Sequence, residues 1–212
     1  IESIGREALS GCRCESLVVG FDTPNFSAAT TSRSNWFYGL EAEEIVIGEG
    51  VRSIGNLAFS AMASLRSVTL SEGVEHIGVG AFAESHNLER VTLGAGIERL
   101  SKHIFYNCTA LSEVVIPASV TTIEEYALQG CYALRSVTMG AAVSYIGDYA
   151  LQGCCALEAL HIAATTPPTL GGSYALDTQS ASLVVYVPAS ALEAYRTAEG
   201  WSALRCSGQT EE

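Results

Sequence analysis

The chain has 212 residues, 48% hydrophobic and 16% charged, and its 11 Lys+Arg against 23 Asp+Glu give a formal net charge of −12. That is enough apolar content for a packed core and too little charge for a disordered polyampholyte. An acidic chain also offers few of the basic contacts that hold a polyanion, which argues against nucleic acid as a partner. No apolar run approaches the roughly 18–20 residues that a spanning helix needs, so no membrane insertion is expected from these residues.

The organising signal is repetition, sought first because it decides the whole architecture. The chain opens on Ile4-Gly5, Ala8-Leu9 and Cys12, followed by a strand at Leu17-Val18-Val19. It opens inside a repeat, without a Met or a basic-then-apolar leader, so an upstream segment or a removed targeting signal is expected. A second, irregular copy follows. Its stretch Phe21–Asn35 carries about five residues more than the period allows, and within it Asn25–Ser32 is polar and small, which predicts an outward loop. Trp36 falls near the aromatic position of this copy, and Ile45-Val46-Ile47 reads as its strand.

From Val51 onward every apolar column recurs at 23 residues. The columns are Val51, Val74, Ile97, Val120, Val143; Ile54, Ile77, Leu100, Ile123, Ile146; Ala58, Ala81, Ile104, Ala127, Ala150; and Phe59, Phe82, Phe105, Leu128, Leu151. They continue with Leu65, Leu88, Leu111, Leu134, Leu157; Val68, Val91, Val114, Val137, Leu160; and Leu70, Leu93, Ile116, Met139, Ile162. Segments such as Val68-Thr69-Leu70 alternate inward and outward with β-branched residues, as a short strand does. Stacked copies would then form a parallel sheet at about 4.8 Å per rung. The small-then-large pair at Ala58 and Phe59 predicts a tight helical turn that drives an aromatic inward. No rung can bury its own apolar edge, so the rungs must stack.

The pattern stops at Thr165-Thr166-Pro167-Pro168. Leu183-Val184-Val185-Tyr186-Val187 reads as a last strand closed by Pro188, and Ser190 as the cap of a short helix running to Ala198, with Leu192 and Tyr195 on one face. Trp201 and Leu204 are expected to fold over the open end of the core, and the tail Ser207–Glu212 to fray. The domain reading is an array over residues 1–170, of about seven rungs with 1–53 irregular and an insertion at 21–35, then a cap over 171–212.

The unit C-x-x-L-x-x-V-x-L-x-x-x-V-x-x-I-G-x-x-A-F resembles the BspA-like leucine-rich repeat, also found in Treponema surface proteins. The finish from Val185-Tyr186-Val187-Pro188 through Tyr195 and Trp201 resembles the C-terminal end common in that family. The better-known leucine-rich pattern places Asn or Cys three residues after the last strand Leu. Here that place holds Gly73, Gly96, Ser119 and Ala142, so the asparagine ladder is absent. The resemblance implies an α/β solenoid, a right-handed leucine-rich repeat superhelix with short helical turns. It also implies a bacterial protein, secreted or at the cell surface, that binds other proteins or mediates attachment.

Chemistry-bearing residues are sparse. Cys108, Cys131 and Cys154 share a column with Met62 and Ser85; a disulfide or metal ladder and simple packing both place cysteine there, and the exchange with Met and Ser argues for packing. Cys12, Cys14, Cys155 and Cys206 are off-pattern, and no C-x-x-C pair exists. The histidines at 76, 86, 103 and 161 lack metal-ligand spacing, and no calcium loop, nucleophile elbow or phosphate loop is present, so no cofactor, metal or catalytic residue is assigned. Glycines at repeat turns, among them Gly48, Gly50, Gly73 and Gly96, are expected at positive φ. Sequons stand at Asn25 and Asn107, the second beside a core column.

The outward positions of the strands form the candidate binding face: Val46, Thr69, Thr92, Val115, Thr138 and His161, flanked by Glu44, Ser67, Arg90, Glu113, Ser136 and Ala159. Strand propensity alone would also favour such residues. The expected function is a noncatalytic surface module, and a monomer, that binds a protein ligand such as a host extracellular or other cell-surface protein. The alternative is a structural spacer within a longer surface protein. A carbohydrate site would want aligned aromatic platforms, and Tyr38, Tyr106 and Tyr132 are scattered.

Overall fold

The computed structural model describes residues 9–23, 37 and 39–209. Expectations for Ile4-Gly5, most of the Phe21–Asn35 insertion, Asn25, Trp36 and Tyr38 lie outside the described residues. In chain order the strands are β1 (Arg13–Val19), β2 (Glu41–Ile47), β3 (Ser53–Ile54), β4 (Ser67–Leu70), β5 (His76–Ile77), β6 (Arg90–Thr92), β7 (Arg99–Leu100) and β8 (Glu113–Ile116). They continue with β9 (Thr122–Ile123), β10 (Ser136–Met139), β11 (Tyr145–Ile146), β12 (Ala159–Ile162), β13 (Thr169–Leu170), β14 (Val184–Pro188) and β15 (Cys206–Gln209). All pairs among them are parallel, and Ser67 opposite Arg90 or Ser136 opposite Ala159 gives the 23-residue step directly. The result is a β-solenoid of about seven turns.

From β3 to β14, each turn carries one longer strand and one two-residue strand. The longer strands form the ladders β1-β2-β4-β6 and β8-β10-β12-β14-β15, and the short ones β3-β5 and β7-β9-β11-β13. In β4, β10 and β12 the burial alternates, with Val68, Leu70, Val137, Met139, Leu160 and Ile162 inward. All seven repeated columns lie in one continuous core, apart from the half-buried Val91 and Leu93 that pack on it. At the start of the array, the side chains of Asp22 and Thr23 tie the first turn to the next. Asp22 Oδ1 accepts the amides of Arg52 and Ser53 at 2.6 and 2.8 Å, and Thr23 Oγ1 accepts that of Gly55 at 2.8 Å.

The helical turn expected around Ala58 and Phe59 takes another form. Leu57, Ala61, His103, Asn107, Tyr126 and Tyr149 all adopt positive φ, and their neighbours do not. This alternation turns every second amide along the solenoid axis, so each rung donates forward, while the amides between them bond within the turn, as Ala58 N does to Gly55 O. Phe59 N reaches Ala81 O at 2.8 Å, Phe82 N reaches Ile104 O at 3.1 Å and Phe105 N reaches Ala127 O at 2.9 Å. On the sheet side the donation runs backward, as from Arg66 N to Glu43 O at 2.7 Å. An α-helical turn would satisfy its amides internally and leave the rungs unbonded on this side.

Both ladders pause between the same two rungs, where β6 does not pair with β8 nor β5 with β7. Pro117 occupies the place of the donors Ser71 and Gly140, and having no N–H it cannot serve the carbonyl of Leu93. On the other ladder Ser101 donates through its hydroxyl to Ile77 O, where Gly78 uses its amide on Ile54 O. The forward bonds of the turn side are continuous across the pause.

The glycine expectation is corrected. Gly48, Gly50, Gly73 and Gly96 are not among the residues at positive φ. What Gly96 provides is closeness: a Cβ there would lie 2.4 Å from Glu72 O and 2.6 Å from Val74 O. Stacked turns meet backbone to backbone at this point.

The C-terminal end also departs from expectation in two places. Helix α1 spans only Leu192–Thr197 after a 3-10 turn at Ala189–Ala191, and no side chain caps it, so Ser190 is not the cap. The tail does not fray at Ser207: β15 pairs with β14, with Ser207 opposite Tyr186 and Gln209 opposite Pro188. Tyr195 and Trp201 are buried and meet edge to face at 5.1 Å. Tyr195 Oη donates to Ala164 O at 3.0 Å and Trp201 Nε1 to Pro168 O at 2.8 Å, which fixes the cap to the break in the repeat.

Candidate binding face

The strand registers place every outward position named from the sequence. Val46 lies opposite Thr69 and Thr69 opposite Thr92 on one ladder; Val115 lies opposite Thr138 and Thr138 opposite His161 on the other. The flanking column runs Glu44, Ser67, Arg90 and then Glu113, Ser136, Ala159. Val115 is 54% exposed and Thr92, Arg90 and Glu113 are exposed, whereas Val46, Thr69, Thr138 and His161 are half-buried among their neighbours.

The column continues further than the sequence reading carried it. Val18 precedes Val46, and Tyr186 and Ser207 follow His161. The His161 and Tyr186 rings stack with centroids 4.8 Å apart and planes 11° apart. Gln209 Nε2, which can only donate, lies 3.3 Å from His161 Nδ1. Beside this pair is an open depression of about 500 Å³ lined by Glu113, Ser136, Thr138, His161, Pro188 and Gln209. A second depression, of about 510 Å³, lies at the other end of the sheet around Arg13, Glu15, Glu41 and Glu43, with Arg13 paired to Glu41.

Aromatic residues align in two columns, an inner one that continues the Phe59, Phe82, Phe105 column of the sequence and a surface one that the scattered Tyr106 and Tyr132 did not reveal. Phe37, Phe59, Phe82 and Phe105 stack inside the core at 4.8, 5.6 and 5.8 Å. On the surface of the turns, His103, Tyr126, Tyr149 and Tyr174 stack at 4.8, 4.9 and 5.0 Å with planes within 12°. The signal was present, since 103, 126 and 149 keep the 23-residue step. Each ring covers the face of the next, so this ladder shows solvent its edges and offers no row of open faces for a sugar. Burial draws the His103 imidazole below its ordinary value, helped by Lys102 and opposed by Glu125. Lys102 Nζ pairs with Glu125 Oε2 at 2.6 Å.

The buried thiols act as hydrogen-bond donors. Cys108 Sγ reaches Phe82 O at 3.2 Å, Cys131 Sγ reaches Phe105 O at 3.2 Å and Cys154 Sγ reaches Leu128 O at 3.3 Å. Ser85 Oγ makes the same bond to Phe59 O at 3.3 Å, which explains why serine and cysteine exchange in this column. Burial pushes the Cys108 and Cys154 thiols up to about 12 and that of Cys131 well above its usual value. They are therefore poor nucleophiles and poor metal ligands at neutral pH. Among the described residues no three of His, Cys, Asp and Glu cluster closely enough to hold a metal ion, and no helix is long and apolar enough to cross a membrane.

Comparison with known proteins agrees with this geometry. The family model described as BspA type leucine rich repeat region matches residues 30–158 in six copies. A leucine rich cell surface protein from Faecalibacterium prausnitzii is 30% identical over 58% of this chain and 32% of its own, with a TM-score of 0.57. A leucine-rich repeat protein from Eubacterium ventriosum is 24% identical over 74% of this chain and 46% of its own, at 0.60. The T. pallidum leucine rich repeat protein shares the fold at 0.62 with 18% identity, over 93% of this chain and 92% of its own. The chain thus spans less than half the length of the first two. No curated protein matches it.

Proposed function

The chain belongs to the BspA-type leucine-rich repeat family, and from that membership we propose that it is a noncatalytic binding module, extracellular or at the cell surface, that engages another protein through its sheet face. The observation that carries this reading is the outward column Val46, Thr69, Thr92, Val115 and Thr138, a surface of β-branched side chains that ends at His161 and has charges only at its margin. Repeat solenoids use such extended faces for recognition. The buried, protonated thiols and the ion-paired surface charges supply no converging nucleophile, base and oxyanion donors. A host extracellular protein or another cell-surface protein is the partner class, and the module works as a monomer.

The test is saturable binding of the purified chain to an array of extracellular matrix proteins and glycans at physiological salt. A protein that binds the chain, and fails to bind a variant carrying Thr69→Lys, Thr92→Lys and Thr138→Lys with unchanged circular dichroism and melting, supports the reading. Silence across the array turns the assignment to a spacer that displays other parts of a longer surface protein.

A further inference from the structure

The depression at the C-terminal end of the sheet face has a chemistry of its own. Among the described residues that line it, Glu113 is the only carboxylate and there is no Lys or Arg. Arg90, one strand before Glu113, is drawn to Glu89 at 3.8 Å, and among the described residues Glu113 has no ion-pair partner. One of the two N–H groups of Gln209 Nε2 is directed at His161, and the Gln209 carbonyl oxygen and the hydroxyls of Ser136 and Thr138 are the further acceptors that line the groove. The end wall is the imidazole of His161, backed on its far face by Tyr186 and standing taller than Thr138 in the next rung. Glu113 and His161 lie two strands apart, about 10 Å along the axis.

The site therefore combines hydrogen-bond acceptors, one carboxylate without an ion-pair partner among the described residues, and a planar aromatic ring. A guanidinium complements all three, since it is planar, carries five donors and no acceptor, and stacks on aromatic faces. An ammonium lacks the plane. A sugar hydroxyl is neutral and leaves the Glu113 carboxylate without a counter-charge. The charge of −12 on the whole chain favours approach of a cationic segment.

Resting on the sheet-face reading, we propose that this groove seats an arginine side chain from an extended segment of the protein partner, with the guanidinium stacked on His161 and paired to Glu113. The probe is the peptide acetyl-Gly-Gly-Arg-Gly-Gly-amide, titrated into the folded chain and followed by NMR at the side chains of His161 and Gln209, beside versions carrying citrulline or lysine. The expected result is saturable shifts at those two residues, with citrulline and lysine binding at least tenfold more weakly. Glu113→Gln and His161→Ala should each lose at least tenfold, while His161→Phe, which keeps a stacking face, should retain most of the affinity. No saturable shift, equal binding of the citrulline peptide, indifference to Glu113→Gln, or shifts produced instead by N-acetylglucosamine or galactose would each overturn the proposal. The two readings separate cleanly. A protein ligand lost with Thr69→Lys and Thr92→Lys but indifferent to Glu113→Gln and His161→Ala sinks the arginine groove and leaves the sheet-face module standing. Arginine binding with silence across the protein array does the reverse.

Discussion

Trp201 donates its indole Nε1–H to the carbonyl oxygen of Pro168 at 2.8 Å, across 33 residues, with both groups buried. This bond joins the last irregular segment to the place where the repeat pattern stops. Trp201→Phe keeps an aromatic ring and removes the donor, so the Pro168 carbonyl is left unsatisfied at a cost of about 1–3 kcal/mol. Denaturant unfolding should show that loss, and limited proteolysis should cut faster near residues 165–168.

Phe82 sits between Phe59 and Phe105 in the inner stack, at 5.6 and 5.8 Å. Phe82→Ala should destabilise by about 3–5 kcal/mol through lost burial and the cavity left behind. Phe82→Leu should cost much less, because Leu128 and Leu151 fill the same column in later rungs. Urea midpoints of the two variants check the order; an equal loss in both would mean that stacking geometry matters more than volume.

At Gly96 a methyl group would meet two backbone carbonyls of the preceding turn, neither of which can swing aside. Gly96→Ala is expected to destabilise by about 1–3 kcal/mol, as overpacked sites do. Gly50→Ala is the contrast, since its nearest neighbour would be Gly20 O at 3.9 Å, an ordinary contact. Thermal melting of the pair should separate them by several degrees.

The thiol column makes stability pH-dependent on the alkaline side. The folded values of Cys108 and Cys154 are raised to about 12 from a reference of 9.0, so their contribution is fully present below pH 9 and is lost as pH climbs toward 12. Above pH 9 the unfolded chain releases protons that the folded chain retains, which amounts to about 1.4 kcal/mol per thiol by pH 10. Unfolding free energies at pH 8 and pH 10 should differ accordingly, and Cys108→Ser should reduce the difference. Ser85 already makes the equivalent bond, so that variant should fold. In the native state at pH 8 the exposed Cys12 and Cys155 should alkylate first, with Cys108, Cys131 and Cys154 protected until unfolding.

The sequence by itself determined the rung. A step of 23 residues assigns each column an inward or outward place, because every rung repeats the same relation to the next; Val68 over Val91 and Thr69 over Thr92 follow from counting alone. The same counting could have found His103, Tyr126 and Tyr149, which keep the step. It also gave the sheet-face column from Val46 to His161 and the exchange of serine for cysteine in the core.

Only the tertiary structure decided what breaks the period. His161 meets Gln209 across 48 residues, Tyr195 meets Ala164 across 31 and Trp201 meets Pro168 across 33. None of these is a multiple of the repeat. They depend on how the cap folds back and on β15 adding to β14, a pairing of backbone groups to which the side chains of Cys206–Gln209 give no strong propensity. The turns show the same division. Composition at Leu57 and Tyr126 disfavours positive φ, yet both adopt it because the amides there must reach the next rung. Local pattern records what each rung does to its neighbour; the energy of closing an open end is not written at any fixed spacing.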